Sequence, residues 1–145
     1  MIAQTIQLSP APVFVLVAIG QILSALSVRY GRVIDRSRAM QEMYEKTSGR
    51  EHDMVVMEIR RLDRRIKLMS SAIRAMVLSG LAIGTTVGLL FLDEIAGVGI
   101  YQVAAAVFLI AIALLMWALL LFLREIQVSA EMLRIPKKLL ELEDE

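Results

Sequence analysis

The chain has 145 residues, of which 57% are hydrophobic and 21% are charged, and its mean hydropathy is +0.65. This composition is typical of a membrane protein of single-domain size. The lack of cysteine excludes disulfide frameworks, cysteine nucleophiles, thiolate zinc sites and iron–sulfur ligation. The net charge of +1 is small, but the basic residues are strongly segregated along the chain.

Three uncharged apolar runs predict three transmembrane helices, at residues 11–28, 75–92 and 98–123. A helix needs about 20 apolar residues to cross the hydrocarbon core of a bilayer. A signal peptide is the alternative for the first run, but no Lys or Arg precedes it, so we expect an uncleaved helix. Ser9 is expected to cap that helix, and Pro10 suits its first turn.

All 16 Lys and Arg residues lie in residues 29–74 and 124–145, and none lies in the link 93–97. The positive-inside rule therefore predicts a multi-pass protein whose N-terminus lies outside the cytoplasm. The basic segment 29–74 and the acidic tail 124–145 are then both cytoplasmic. Residues 1–145 are expected to form a single membrane domain.

The segment 29–74 predicts a cytoplasmic antiparallel coiled-coil hairpin. Two apolar stripes with heptad spacing mirror each other across Thr47-Ser48-Gly49, which is a plausible helix stop. The stripes consist of Leu26, Tyr30, Val33, Ser37, Met40 and Tyr44, and of Val55, Ile59, Leu62, Ile66, Met69, Ile73 and Met76. The expected fold is all-α, with three transmembrane helices and this hairpin between helices 1 and 2. In one interpretation the stripes serve only to pack the two arms of the hairpin against each other. Alternatively, the outer faces of the hairpin also bind a cytoplasmic protein partner.

Basic residues dominate the hairpin, and we assign them to lipid or partner electrostatics. The assigned residues are Arg29, Arg32, Asp35, Arg36, Arg38, Arg61, Arg64, Arg65 and Arg74. Pairs of Asp35 with Arg61 or Arg64, and of Asp63 with Arg36, are expected to align the two arms while contributing little stability. The arginines left over could meet anionic lipid head groups at the inner leaflet, or a specific anion or partner.

A particular spacing of charges follows the first apolar run. The pattern R-x-x-R-x-x-D-R-x-R begins at Arg29, directly after a helix that opens with Ser-Pro-Ala-Pro at 9–12. This pattern resembles the signature of domain-of-unknown-function family 2721, which comprises small bacterial membrane proteins. The resemblance covers about residues 3–125 and leaves out the acidic tail. It implies a location in the bacterial inner membrane and transfers no activity or catalytic residue.

Gly80, Gly84 and Gly88 make one side of the second transmembrane helix flat. Small residues four apart let helix backbones approach closely in lipid, so we expect a helix-packing or oligomer contact here. Internal packing is the simpler interpretation, because the third helix carries alanines at 104, 111 and 118. A contact between subunits is the alternative.

Gln21, Ser24 and Ser27 form a short polar stripe on the first helix. A glutamine in hydrocarbon needs hydrogen-bond partners, which neighbouring helices, a second subunit or water in a pore can supply. The stripe is therefore a candidate for interhelical hydrogen bonding or for lining a pore.

No catalytic constellation is present in the sequence, and we expect neither an enzyme nor a bound cofactor or metal. His52, the single histidine, lies near the predicted turn and is interpreted as a solvated residue. The carboxylates around it lack the spacing of a calcium loop. Two hypotheses remain: a homo-oligomeric scaffold with a basic stalk, or an oligomeric ion channel lined by the first helix. The expected partners are the lipid bilayer and the protein itself, and nucleic acid is not expected.

Overall fold

The computed structural model describes residues 3, 7 and 10–132, and the part it describes contains helices and no strand. Helix α1 spans Pro10–Lys46, α2 spans Arg50–Ala96, and α3 spans Tyr101–Met132. Each helix is long and apolar enough to cross a membrane. The prediction of an all-α, multi-pass membrane protein is therefore confirmed. The expected cap at Ser9 and the tail beyond residue 132 lie outside the described residues.

Helices α1 and α2 form an antiparallel hairpin. Near its open end a Cβ atom at Gly80 would lie 3.9 Å from Ile19, and near its closed end the ring centroids of Tyr44 and His52 are 4.5 Å apart. The turn between the helices contains Gly49, whose φ of 69° lies in the left-handed region that glycine adopts without strain. The helix stop predicted around Gly49 is thus a sharp turn that reverses the chain.

Helix α2 packs against both α1 and α3. In the apolar part of the molecule, Ser79 Oγ donates a 2.7 Å hydrogen bond to the carbonyl oxygen of Ala111. The apolar core around this contact consists of Ile19, Leu26, Ala72, Ala75, Met76, Ile83, Ala111, Ala118 and Leu121. Small alanines on α3 let the two backbones approach closely, as expected for helices that associate in lipid.

A second apolar core fills the hairpin toward its closed end. It consists of Val33, Met40, Leu62 and Met69, with Tyr30, Ile59 and Ile66 partly buried around them. Buried residues in all three helices recur every seven positions, as at 19, 26, 33 and 40 in α1. Such spacing is typical of helices that cross at about 20°. The coiled-coil geometry and the cytoplasmic side of the hairpin stay predictions.

The connection from α2 to α3 lies slightly later than the predicted link. Helix α2 continues through Asp93 and ends where Gly97, with φ of 61°, donates its N–H to the Asp93 carbonyl oxygen over 2.8 Å. The Asp93 carboxylate also accepts a 2.7 Å hydrogen bond from the backbone N–H of Ile100, directly before α3. One aspartate therefore joins the end of α2 to the start of α3.

Candidate functional site

Glu125 is the most unusual residue of the bundle, because its side chain is completely buried. It lies on α3 one heptad beyond Ala118, so it continues the row of buried alanines at 104, 111 and 118. A buried carboxylate is costly unless it is paired and hydrogen-bonded. The sequence pattern assigns this residue to the acidic tail 124–145, and the structure shows that it continues α3 and contacts side chains of α1 and α2.

Two arginines from different helices neutralise Glu125. Arg29 of α1 donates from Nη2 to Oε2 over 2.9 Å, and Arg65 of α2 donates to Oε1 from Nη2 over 2.9 Å and from Nε over 3.2 Å. The Arg29 guanidinium also lies 5.6 Å from the centroid of the Phe122 ring, within range of a cation–π interaction. We call these three charged residues the ion triad, and it joins α1, α2 and α3 at one level.

The triad borders a cleft of about 240 Å³ between the three helices. We call it the arginine cleft, and its lining consists of Arg29, Arg32, Val33, Arg36, Leu62, Arg65 and Ser129. Four guanidinium groups thus line a space to which no carboxylate of the described residues contributes, and Glu125 beside it neutralises only part of their charge. The cleft therefore brings four positively charged side chains from α1 and α2 together.

The structure divides the residues assigned to lipid or partner electrostatics into two groups. Arg29, Arg32, Arg36 and Arg65 line the arginine cleft. The others are exposed elsewhere on the hairpin, and they are Asp35, Arg38, Arg61, Arg64 and Arg74. Of this second group, Arg74 donates from Nη2 to Ser71 Oγ over 3.3 Å.

The ion pairs between the arms differ from those expected. Asp63 pairs with Lys67 one turn away on its own helix over 2.7 Å, and Arg36 approaches Glu58 instead. Within residues 10–132, Asp35 takes part in no ion pair. The one short ion pair that bridges the two outer helices is Arg29 with Glu125, which sequence reasoning missed. The sequence feature that could have predicted this burial is the spacing of seven residues that leads from the alanines at 104, 111 and 118 to Glu125.

The glycine row on α2 is not packed uniformly. A Cβ atom at Gly80 would contact Ile19 and Leu16 of α1, whereas one at Gly84 or Gly88 would meet nothing within 4 Å among the described residues. The alanines at 104, 111 and 118 are buried on α3, but the α2 residue bonded to Ala111 is Ser79 rather than a glycine of the row. Gly84 and Gly88 thus lie on an open face of the described bundle.

The polar stripe on α1 is exposed. Ser27 donates a 2.8 Å hydrogen bond to the Leu23 carbonyl oxygen on its own helix. No hydrogen bond from Gln21 or Ser24 occurs within the described part of the chain, and both side chains face outward. The stripe is available to lipid, to water or to a second copy of the protein.

His52 and the carboxylates near the turn do not form a metal centre in the part of the chain that the structure describes. The His52 ring is tilted against Tyr44, and its Nδ1 atom is buried without a hydrogen-bond partner among the described residues. His52 is therefore a half-buried residue that packs on Tyr44 at the closed end of the hairpin.

Comparison with curated proteins and with solved structures gives no significant match. A family model does match residues 9–135 of the chain. This range includes all three helices, the ion triad and the arginine cleft. Because this match covers most of the chain, the protein belongs to the family described as protein of unknown function, DUF2721.

Proposed function

We propose that this protein is a non-catalytic, homo-oligomeric scaffold of the bacterial inner membrane. It holds a basic helical hairpin at a fixed distance from the cytoplasmic face, where the hairpin engages itself or a cytoplasmic protein. The observation that carries this proposal is the ion triad, which connects all three helices at the base of the hairpin. A hairpin attached in this way cannot swing independently of the membrane bundle.

The length of the hairpin supports a presenting role. Helix α1 continues without a break from its apolar half to Lys46, and α2 returns from Arg50 in the same manner. At 1.5 Å per residue, the part of α1 after residue 28 is about 27 Å long. A rigid extension of that length is more than a connection between two crossings, and its basic surface is suited to an acidic partner or to anionic lipid.

The uncovered features of the apolar region support an oligomer. Gln21 and Ser24 are exposed on α1, and Gly84 is exposed on α2. Lipid tails offer no partner for an amide, and a flat glycine surface gains dispersion contacts only when another helix approaches it. A second copy of the protein would cover both features.

Substitution of Gly84 tests the oligomer. The protein is purified in detergent, and its mass is measured by size-exclusion chromatography with light scattering. Because a Cβ atom at Gly84 meets nothing within 4 Å in the described bundle, Gly84→Leu should leave the fold intact and reduce the oligomer to smaller species. Ala113→Leu on α3, where the side chain is also exposed, is the matched control and should keep the wild-type mass. An unchanged mass for Gly84→Leu would exclude the glycine row from the subunit contact.

An ion channel lined by α1 is the second candidate, and the exposed Gln21 and Ser24 are the observation that favours it. If these side chains line a wet pore, the reconstituted protein passes ions, and Gln21→Leu lowers the current because an apolar constriction loses water. Planar-bilayer recordings that stay silent for assembled protein across voltage and pH would eliminate an open pore and leave the scaffold.

A further inference from the structure

We propose that the arginine cleft is a binding site for a phosphate group, supplied either by the head group of an anionic lipid or by a phosphate compound in solution. The ligand is held by Arg32 and Arg36 of α1 together with the free donors of Arg29 and Arg65. This inference does not depend on whether the protein is a scaffold or a channel. It rests on the charge, geometry and position of the cleft.

The ion triad prepares two of the four arginines for binding. Contacts with Glu125 hold the guanidinium groups of Arg29 and Arg65 in place, and the side chain of Arg65 is only 17% exposed. Each guanidinium has five N–H donors, so the carboxylate leaves several of them unused. The side chain of Arg29 is 39% exposed, so part of it stays accessible beside the cleft. An anion there would meet guanidinium groups that Glu125 already holds in place.

The other two arginines have no close internal partner. Arg36 approaches Glu58 only at 4.0 Å, and no ion pair of Arg32 occurs among the described residues. Among the described residues, the four guanidinium groups are paired only with Glu125 and, at 4.0 Å, with Glu58, so they keep a net positive charge. The cleft is therefore incomplete in charge, although its walls are already formed by three helices.

The chemistry of the lining favours phosphate. Arginine forks match the oxygens of phosphate in bidentate geometry, and the hydroxyl of Ser129 adds a further donor at the edge contributed by α3. Among the described residues no aromatic side chain lines the cleft, so this lining offers a nucleotide base no surface on which to stack. A volume of about 240 Å³ accepts a phosphate group and part of its substituent.

The position of the cleft suits both sources of phosphate. Arg74 and Asp93 bound the charge-free stretch 75–92 of α2, which at 1.5 Å per residue is about 27 Å long and matches a hydrocarbon core. The exposed Trp117 of α3 lies level with Arg74, as is common at a membrane interface. Arg65 lies about 13 Å beyond Arg74 along α2. The cleft therefore faces the head-group layer and the adjoining water.

A pair of double variants tests the site in the full-length protein. Arg32→Gln with Arg36→Gln removes two cleft arginines and leaves the ion triad untouched. Arg38→Gln with Arg61→Gln removes the same charge from exposed positions outside the cleft and is the matched control. Thermal unfolding of both variants in detergent should match that of the wild type, which establishes that any loss of binding is local.

The first arm measures lipid binding by native mass spectrometry with phosphatidylglycerol in an excess of phosphatidylcholine. The second arm measures inorganic phosphate binding by titration calorimetry. The cleft variant should bind at least about tenfold more weakly in one or both arms, while the control stays within about twofold, because charge-assisted arginine contacts are lost only in the cleft. Loss in the lipid arm alone assigns the site to a head group, and loss that extends to inorganic phosphate assigns it to a ligand in solution.

Two outcomes would overturn the proposal. Equal weakening in both double variants would mean that anions are attracted by the hairpin's overall charge and not by the cleft. Wild-type protein that neither prefers phosphatidylglycerol nor binds inorganic phosphate would mean that the cleft has no phosphate ligand.

Discussion

At the scale of single residues, Glu125 has the strongest effect on how the helices are arranged. Its two carboxylate oxygens bind side chains that lie 96 and 60 positions earlier in the chain. Replacing a buried ion pair by apolar residues can be neutral, but removing one partner leaves the others uncompensated. Glu125 therefore stabilises the present arrangement chiefly because Arg29 and Arg65 would be unpaired without it.

We expect Glu125→Gln to lower the free energy of unfolding by about 2–4 kcal/mol. This loss is smaller than that for a fully buried ion pair, because the side chain of Arg29 is 39% exposed and water solvates part of its unpaired charge. Unfolding by denaturing detergent, followed by circular dichroism, measures the change. Glu131→Gln alters an exposed carboxylate on the same helix and should change stability by less than about 0.5 kcal/mol. Similar losses in the two variants would show that the triad does not stabilise the fold.

At the scale of the elements, the hairpin is a continuous pair of helices whose contact surface changes character along its length. In the apolar part its buried side chains include the small Ala72 and Ala75 beside Leu26 and Met76. Toward the turn the buried cluster within residues 10–132 contains no alanine and consists of Val33, Met40, Leu62 and Met69. Small residues let helices approach in lipid, where water supplies no driving force. Larger apolar side chains become useful where water is present, because their burial is then favourable.

Substitution of Met69 tests whether the contact surface between α1 and α2 stabilises the hairpin. Its side chain is fully buried in the cluster with Val33, Met40 and Leu62, so Met69→Ala should destabilise the protein by about 2–4 kcal/mol through lost burial and a cavity. Met57→Ala on the same helix is the matched control, because Met57 is 56% exposed. Thermal unfolding in detergent compares them, and equal shifts would contradict a stabilising seam.

At the scale of the whole molecule, the Lys and Arg residues within 10–132 all lie toward the end of the bundle that holds the hairpin and the end of α3. This distribution is what the positive-inside rule associates with the cytoplasm. The opposite side holds the link around Gly97, where Asp93 and Glu94 are acidic. The membrane orientation proposed above follows from this difference in charge.

Cysteine labelling tests the orientation directly, because the chain contains no natural cysteine. A membrane-impermeant maleimide should label Val98→Cys in intact bacterial cells, since Val98 is exposed in the outer link. Ser48→Cys, at the tip of the hairpin, should be labelled only after lysis. Labelling of Ser48→Cys in intact cells would reverse the proposed topology.

Local sequence patterns were sufficient to predict the number of helices, their apolar stretches, the turn near Gly49 and the family. These features depend on local hydropathy, on periodicity and on glycine at helix ends, which are properties of neighbouring residues. The heptad stripes likewise predicted which face of α1 and α2 is buried in the hairpin, because each stripe marks one side of a helix.

The helix that contacts each buried face is known only from the three-dimensional arrangement of α1, α2 and α3. Periodicity shows that a helix has an inner side but does not show which helix covers it. The row of Gly80, Gly84 and Gly88 therefore left packing on the third helix and a subunit contact both open, and the sequence pattern leaves Glu125 in the acidic tail. Its pairing with Arg29 and Arg65 depends on three helices reaching the same level, which no local pattern reports. The arginine cleft exists for the same reason, since its lining comes from all three helices.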